Sequence, residues 1–375
     1  MKKGTFFLLC LEGAILSFSV AASSALVPSI AKDFSVSEFF AARIIWLYFL
    51  PYGIAALLYG PLVRTFNAKK IELICLFSFS LSNLAAGLSR SINLLFIFRF
   101  FMGLFGASVI PLGLILISRH VEEKMRGRSV GFFFGFTFIG SLAGLFLSGI
   151  ITWRYIYLIP GLSGLLLWVA LYFYLPDFKE EAAALRFNYL SCFKNKTFFS
   201  IFTYIFLISF FYHGIQQWLG VYFSKSYQLN QFLISSLIIL TGLSGILGEF
   251  FGGVLADKFG RVKTVNLGIS LMIISAFALI FKLPLWVLGA IMFIWGLGWT
   301  FNHAGVSTLL TSLPEGCLNE AASLNSSLRF VSGGIGAHLS GLLMQRSFNL
   351  GFTALGAGLL VLLITGGLNG YQLKR

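Results

Sequence analysis

The sequence predicts an all-α polytopic membrane protein, twelve transmembrane helices in two pseudo-symmetric six-helix bundles. Three observations lead there. The 375 residues are 58% hydrophobic and 11% charged, with a mean hydropathy of +0.89, whereas a soluble domain carries about 25% charge. Apolar runs of about 20 residues, enough to cross a hydrocarbon core of roughly 30 Å, recur twelve times with short connections. Finally, the turn GGVLADKFGRVK at 252–263 has a second copy, GPLVRTFNAKK at 60–70, with Gly60 and Gly253 standing 193 positions apart. A chain whose halves repeat at about half its length is an internal duplication.

The net charge of +14 does not point to nucleic acid, because Lys and Arg sit singly or in small groups at span ends rather than in one tract. The positive-inside rule accounts for them. With the N-terminus in the cytosol, eighteen of the 27 cations fall on cytosolic segments, among them Arg64, Lys69, Lys70, Arg126, Arg128, Lys258, Arg261 and Lys263. Seven fall on the opposite side, and Arg99 and Arg329 lie inside spans. Both termini are expected in the cytosol. The four cysteines, 10, 75, 192 and 317, form no CxxC pair and no metal spacing with the histidines, so free thiols and no metal are expected. Lys2, Lys3 and AASSA at 21–25 mimic a secretory signal, but Glu12 within the apolar stretch and the duplication argue for a retained first span.

The spans follow in order. The first runs from about Thr5 to Ile30 and holds Glu12. An acid there costs at least ~2.5 kcal/mol unless it faces a cavity or reaches interfacial water, and both uses stay open. The second, roughly Glu38–Val63, reaches the first copy of the turn. The third, about Ile71–Leu88, carries a polar stripe of Ser78, Ser80, Ser82 and Asn83. The fourth, Ile92–Ser118, holds Arg99 in FRFFMGLFGAS; a guanidinium needs an acid, a cavity, carbonyl groups or a snorkelling route. The fifth, Ser129–Ile151, carries Gly131, Gly135, Gly140, Gly144 and Gly149, small residues that permit close helix contact. A shift of 192 places Gly144, Ser148 and Gly149 on Gly336, Ser340 and Gly341 of the eleventh span.

WRYIY at 153–157 turns into the sixth span, which ends at Pro176. Residues 177–196 form the longest connection and divide the chain into bundles 1–176 and 197–375. The seventh span, Thr197–Phe223, carries His213, Gln216, Gln217 and Trp218, suited to a ligand site or to interhelical hydrogen bonds. The eighth, Phe232–Ala256, holds Glu249 two turns before Asp257, either a proton-exchanging group or a structural partner. Glycines 252, 253 and 260 let the eighth and ninth spans approach and turn tightly. The tenth span, Leu285–Leu313, places Trp295, Trp299, Asn302 and His303 on one face, an aromatic wall with a polar floor or simply packing. The eleventh holds Asn325, Arg329 and His338, and the twelfth, Leu350–Tyr371, is almost purely apolar.

Over essentially its whole length the chain resembles the major facilitator superfamily. GGVLADKFGRVK matches that family's signature turn between helices 8 and 9, and GPLVRTFNAKK its counterpart between helices 2 and 3. RFFMGLFGAS is similar to the helix-4 arginine motif, and WRYIY to the usual lead into helix 6. The resemblance implies two six-helix bundles around a central cavity with alternating access. It implies cytosolic gate motifs at Gly60, Arg64, Lys69, Gly253, Asp257, Gly260 and Arg261, and helix packing at Gly140, Gly144 and Gly336. Asp257 would brace the gate near Arg126 and Arg128. The first copy has Arg64 in place of the family's Asp and Asn67 in place of Gly, so a gate braced more from the C-terminal half is expected.

YGPL, Arg99 and GSLAG in the fifth span look like the drug:proton antiporter branch, with Ser141 standing where that branch has Pro. By that resemblance the chain is a proton-coupled exporter of small amphipathic or drug-like compounds. Its substrate and proton pathway would include Glu12, Arg99, Gln216, Gln217, Trp218, Glu249, Trp299, Asn302, His303 and Arg329, with Arg99 joining proton transfer to Glu12 or Glu249. The resemblance also implies a small-molecule substrate, no cofactor, and a monomer in the lipid bilayer of the cytoplasmic (inner) membrane. The alternative is a facilitator or symporter of a metabolite such as a sugar or organic anion, with Arg99 and Arg329 binding substrate. An enzyme or a sensor is disfavoured: His120, Glu122 and Glu123 are the only close group at a membrane edge, and the twelve spans leave no room for a soluble output domain.

Overall fold

The computed structural model describes residues 3–175, 193–310 and 318–365. Within them every predicted span is helical and no strand occurs. The helices are α1 (Lys3–Ala21), α2 (Ser23–Asp33), α3 (Glu38–Ala41), α4 (Arg43–Thr65), α5 (Ala68–Gly87), α6 (Ile92–Gly106), α7 (Val109–His120) and α8 (Glu123–Ser148). They continue with α9 (Trp153–Tyr174), α10 (Lys196–Gln216), α11 (Leu219–Tyr227), α12 (Gln231–Phe259), α13 (Arg261–Ala278), α14 (Leu285–Leu310), α15 (Leu318–Arg346) and α16 (Phe348–Ile364). Among the described residues, ten segments are long and apolar enough to cross a membrane. The other two predicted spans are α15, 29 residues long but polar, and α16, 17 residues.

Four spans expected as continuous helices are interrupted. The first breaks at Ala22, where Ser23 turns its hydroxyl back onto the Ser19 carbonyl at 3.0 Å, and the second at Ala42 between α3 and α4. The fourth breaks at Ala107–Ser108. Pro111 follows four residues after Ala107 and has no N–H for its carbonyl, and Ser108 Oγ donates to Phe105 O at 2.9 Å. The seventh breaks at Gln217–Trp218, where the Trp218 N–H reaches Ile215 O at 3.0 Å, a tighter turn. The connection 177–192, Cys192, Cys317 and the last ten residues lie outside the described residues; Cys10 and Cys75 are free and buried.

The chain divides into two compact units. One is Met1–Phe187 with Asn230–Ser235, the other Asn188–Leu229 with Ser236–Arg375. Each is held by the same backbone contacts. In the first, a Cβ on Gly144 of α8 would collide with the Phe18 carbonyl of α1, and one on Gly103 of α6 with the Tyr48 carbonyl of α4. In the second, Gly336 of α15 meets the Phe210 carbonyl of α10, and Gly296 of α14 the Thr241 carbonyl of α12. Both partners of the first pair shift by 192 positions, and both partners of the second by 193. The duplication visible in the turns therefore extends to the helix contacts.

Not every glycine serves packing. Gly140 lies on the Ala14 backbone and Gly252 on Phe301 and Ala304, but a Cβ on Gly131, Gly135 or Gly253 would meet nothing within 4 Å. Gly131 and Gly135 instead line an open groove with Phe132 and Ile139, which corrects the expectation that the whole glycine series packs against a neighbour. The two turns start their helices differently. Gly260 has φ 99° and ψ 146° before α13, a backbone region nearly closed to other residues. Asn67, its counterpart, has φ −62° and ψ 116° and caps α5 by accepting the Lys70 N–H. At the WRYIY turn, Asp33 Oδ2 accepts from Trp153 Nε1 at 3.1 Å and pairs with Arg154 at 2.9 Å. Arg154 Nη1 also donates to the Gly87 and Ser89 carbonyls, so one residue ties α2, α5 and α9.

Gly144→Ala and Gly336→Ala are expected to destabilise the purified protein by about 1–3 kcal/mol, the range for overpacking. Gly260→Ala falls in a similar range of about 1–3 kcal/mol through backbone strain. Gly135→Ala should change stability by less than about 0.5 kcal/mol. Thermal unfolding in detergent checks the series, and equal effects at 135 and 144 would refute the contact assignment.

Candidate functional site

Polar groups inside the spans gather in two clusters, one per unit. In the first unit Glu12 of α1 is 2% exposed and Glu72 of α5 is completely buried. Their carboxyl groups are close enough to interact directly. Among the described residues no N–H or O–H donor reaches Oε1 of Glu12 or either oxygen of Glu72. A carboxylate has no hydrogen to donate, so a hydrogen bond between two carboxyl groups requires a proton on one of them. Two carboxyl groups brought together with no other donor can share one proton. Beside it Cys75 Sγ lies 3.5 Å from Tyr59 Oη, which donates to Leu104 O at 2.8 Å.

Arg99 of α6 is fully buried in the same unit but has different partners. Its Nε donates to the Ile44 carbonyl at 2.9 Å and its Nη2 to Ser23 Oγ at 3.0 Å. Its Cζ lies 4.5 Å from the Tyr48 ring centroid and 5.8 Å from that of Tyr157. The guanidinium thus fastens α6 to α2, α4 and α9. Arg99 and Glu12 share no hydrogen-bond partner among the described residues; a carbonyl, a hydroxyl and two aromatic faces hold the charge, and Nη1 is buried without an acceptor among them.

The second cluster is aromatic. Tyr212 of α10 stacks between two indoles of α14, with ring centroids 5.3 Å from Trp295 and 3.9 Å from Trp299, and interplanar angles of 13° and 11°. Trp295 is completely buried, and Trp299 is half-buried. His213 meets Trp299 edge-on at 5.7 Å, and Arg329 of α15 sits with its Cζ 5.3 Å from the same indole. Arg329 Nε donates to Asn325 Oδ1 at 2.9 Å, but Nη1 and Nη2 are buried without an acceptor among the described residues. Glu249 Oε1 lies 2.6 Å from His303 Nδ1, both side chains one-third exposed. Asn302 donates from Nδ2 to the Tyr204 hydroxyl.

Gln216 and Trp218, also expected in the site, are engaged with neighbouring helices. Gln216 accepts from Trp295 Nε1 at 2.8 Å and donates to Thr241 Oγ1 at 3.3 Å, which occupies both ends of its amide. Trp218 donates to Ala337 O at 2.8 Å, and its ring lies against Gly341. Gln217 contacts His213 Nδ1 at 3.4 Å. In the turns, Lys69 lies 5.8 Å from the Tyr172 ring centroid, and Asp257 is exposed at the end of α12. Arg126, in the first turn of α8, donates to Val121 O. The burial of Gly60 and the side chain of Arg64 lie outside what is described.

Sequence reasoning missed Glu72, Tyr204 and Tyr212. Glu72 follows Lys69 and Lys70 closely and reads as part of the charged turn; the available signal was an ionisable residue inside the first turn of a span. The tyrosines had no signal beyond their place among apolar residues.

A family model, Major Facilitator Superfamily, matches residues 9–337. The chain belongs to the major facilitator superfamily. It is an integral membrane transporter working by alternating access, not an enzyme. Among its relatives is the uncharacterized MFS-type transporter YceJ of Bacillus subtilis, 25% identical over 88% of each chain. The chloramphenicol resistance protein CraA of Acinetobacter baumannii is 24% identical, over 79% of this chain and 76% of that one. The fold is that of the nucleoside transporter NupG, solved as a point mutant, with a TM-score of 0.75, 14% identity, and coverage of 96% and 98% of the two chains.

Since Arg99 is held by fixed acceptors, Arg99→Leu should lower stability by about 1–3 kcal/mol through the unpaired Ile44 carbonyl and Ser23 hydroxyl. Arg99→Lys, which lacks the planar fork, should recover little of it. Thermal melting in detergent reads both, and wild-type melting of Arg99→Lys would refute the clamp.

Proposed function

We propose that this transporter exchanges protons for small amphipathic, aromatic-bearing compounds and moves them out of the cell, its termini in the cytosol by the distribution of Lys and Arg. The observation that carries the reading is the Glu12–Glu72 pair. A proton held between two buried carboxyl groups is a coupling device: it leaves when one helix moves and the contact opens, and it is needed to restore the contact. The aromatic stack on Tyr212 supports the substrate side, because flat rings offer area to apolar compounds of varied outline. The resistance function in the name of CraA supports export. In this reading Glu12 and Glu72 carry the proton, and Glu249 serves as the partner of His303.

The test is transport in proteoliposomes with an imposed pH gradient and a panel of cationic, neutral and anionic aromatic compounds. The wild-type protein is expected to accumulate at least one of them against its gradient. Glu12→Gln and Glu72→Gln should each abolish gradient-driven accumulation while leaving gradient-free exchange of the same compound within about threefold, since only coupling is lost. Transport indifferent to the pH gradient in the wild type, or gradient-driven accumulation unchanged in both variants, would refute proton coupling through this pair.

A further inference from the structure

We propose that the second unit contains a subsite for a monoanionic aromatic compound, the carboxylate taken by Nη1 and Nη2 of Arg329 and the ring by Trp299. This rests on the transport reading and names the class of compound transported.

Arg329 is 8% exposed in α15, the most polar of the long helices. It is oriented by its Nε, which donates to Asn325 one turn earlier on the same helix. That bond leaves the terminal edge of the guanidinium, the two Nη groups, without an acceptor among the described residues. A guanidinium does not deprotonate in a protein, and a buried cation inside a span marks a site for a partner. The nearby acid does not fill that place, since Glu249 Oε1 is engaged 2.6 Å from His303 Nδ1.

The free edge presents parallel N–H donors, which match two coplanar oxygens. A carboxylate has them. Glu249 is close enough to act electrostatically on Arg329, and a second negative charge on the ligand would face it, so a monoanion suits the site better than a phosphate dianion. The aromatic requirement comes from Trp299. Its indole covers the guanidinium at 5.3 Å and stacks on Tyr212 at 3.9 Å, yet it remains half-buried, whereas Trp295 in the same stack is sealed. Trp299 is thus both the cover over the guanidinium and the member of the stack able to move. A ring taking its place against Tyr212, or stacking on the displaced indole, keeps the aromatic contact while the carboxylate reaches the Nη edge.

The experiment is calorimetric titration of the full-length protein in detergent with 2-naphthoate, its neutral analogue 2-naphthamide, and naphthyl phosphate. Naphthoate is expected to bind at least about tenfold more tightly than either of the others. Arg329→Gln should bring naphthoate and naphthamide to equal affinity. Trp299→Leu should weaken naphthoate while keeping its preference over the amide, which separates loss of the ring contact from loss of the fold. Naphthoate should also change the tryptophan emission of the wild type and not of Trp299→Phe. Equal affinity for acid and amide in the wild type, a preference for the phosphate, no binding of naphthoate, or an anion preference surviving Arg329→Gln would each overturn the proposal. No proton gradient enters this measurement. Naphthoate binding without proton-driven transport would refute only the coupling, and proton-driven transport without an anion preference would refute only this subsite.

Discussion

Hydrocarbon offers neither a hydrogen bond nor a counter-charge, so each polar group within a span has to find its partner in the protein. That constraint sorts the interior of this transporter. Arg99 is answered by a carbonyl from α4, a hydroxyl from α2 and two tyrosine rings. Gln216, Trp295 and Trp218 close their donors and acceptors on neighbouring helices. These groups are polar and buried, yet they behave as fasteners. Among the described residues the constraint remains unmet for Glu12 with Glu72 and for the outer edge of Arg329, and also at single atoms such as Arg99 Nη1, the Tyr48 and Tyr157 hydroxyls and Asn83 Oδ1. For the first two, the partner we propose is something a transporter moves, a proton in one unit and an anion in the other.

The duplication makes that division of labour visible. Contacts in which one backbone lies on another were kept: Gly144 on Phe18 and Gly336 on Phe210, Gly103 on Tyr48 and Gly296 on Thr241. Any side chain at those glycines would force the helices apart, so both copies are bound to the same solution. Polar positions carry no such demand, and the copies diverged. A shift of 192 takes Glu12 to Tyr204, and Thr137 to Arg329. Even the paired turns part company, since Gly260 adopts a backbone conformation that a Cβ forbids, whereas Asn67 starts its helix with a side-chain cap.

Much of this was legible in the chain itself. Hydropathy and run length determined that the protein is helical and crosses the membrane, because a span must be apolar along its own length whatever its neighbours are. The repeated turn determined the duplication, and the Arg99, Glu12, Glu249 and Arg329 positions were legible as charges where charges are expensive. What those charges do was decided only by tertiary structure. Glu12 and Glu72 lie 60 positions apart, and nothing local in either segment says that they touch. Arg99 sits in the sequence like a proton-pathway group and is held in the structure like a bolt, because its acceptors come from helices packed beside it. Gln216 and Gln217 are adjacent and chemically alike, yet the end of α10 turns them toward different partners. Sequence determines which groups hydrocarbon will not tolerate alone, and packing alone decides which of them are left waiting for a ligand.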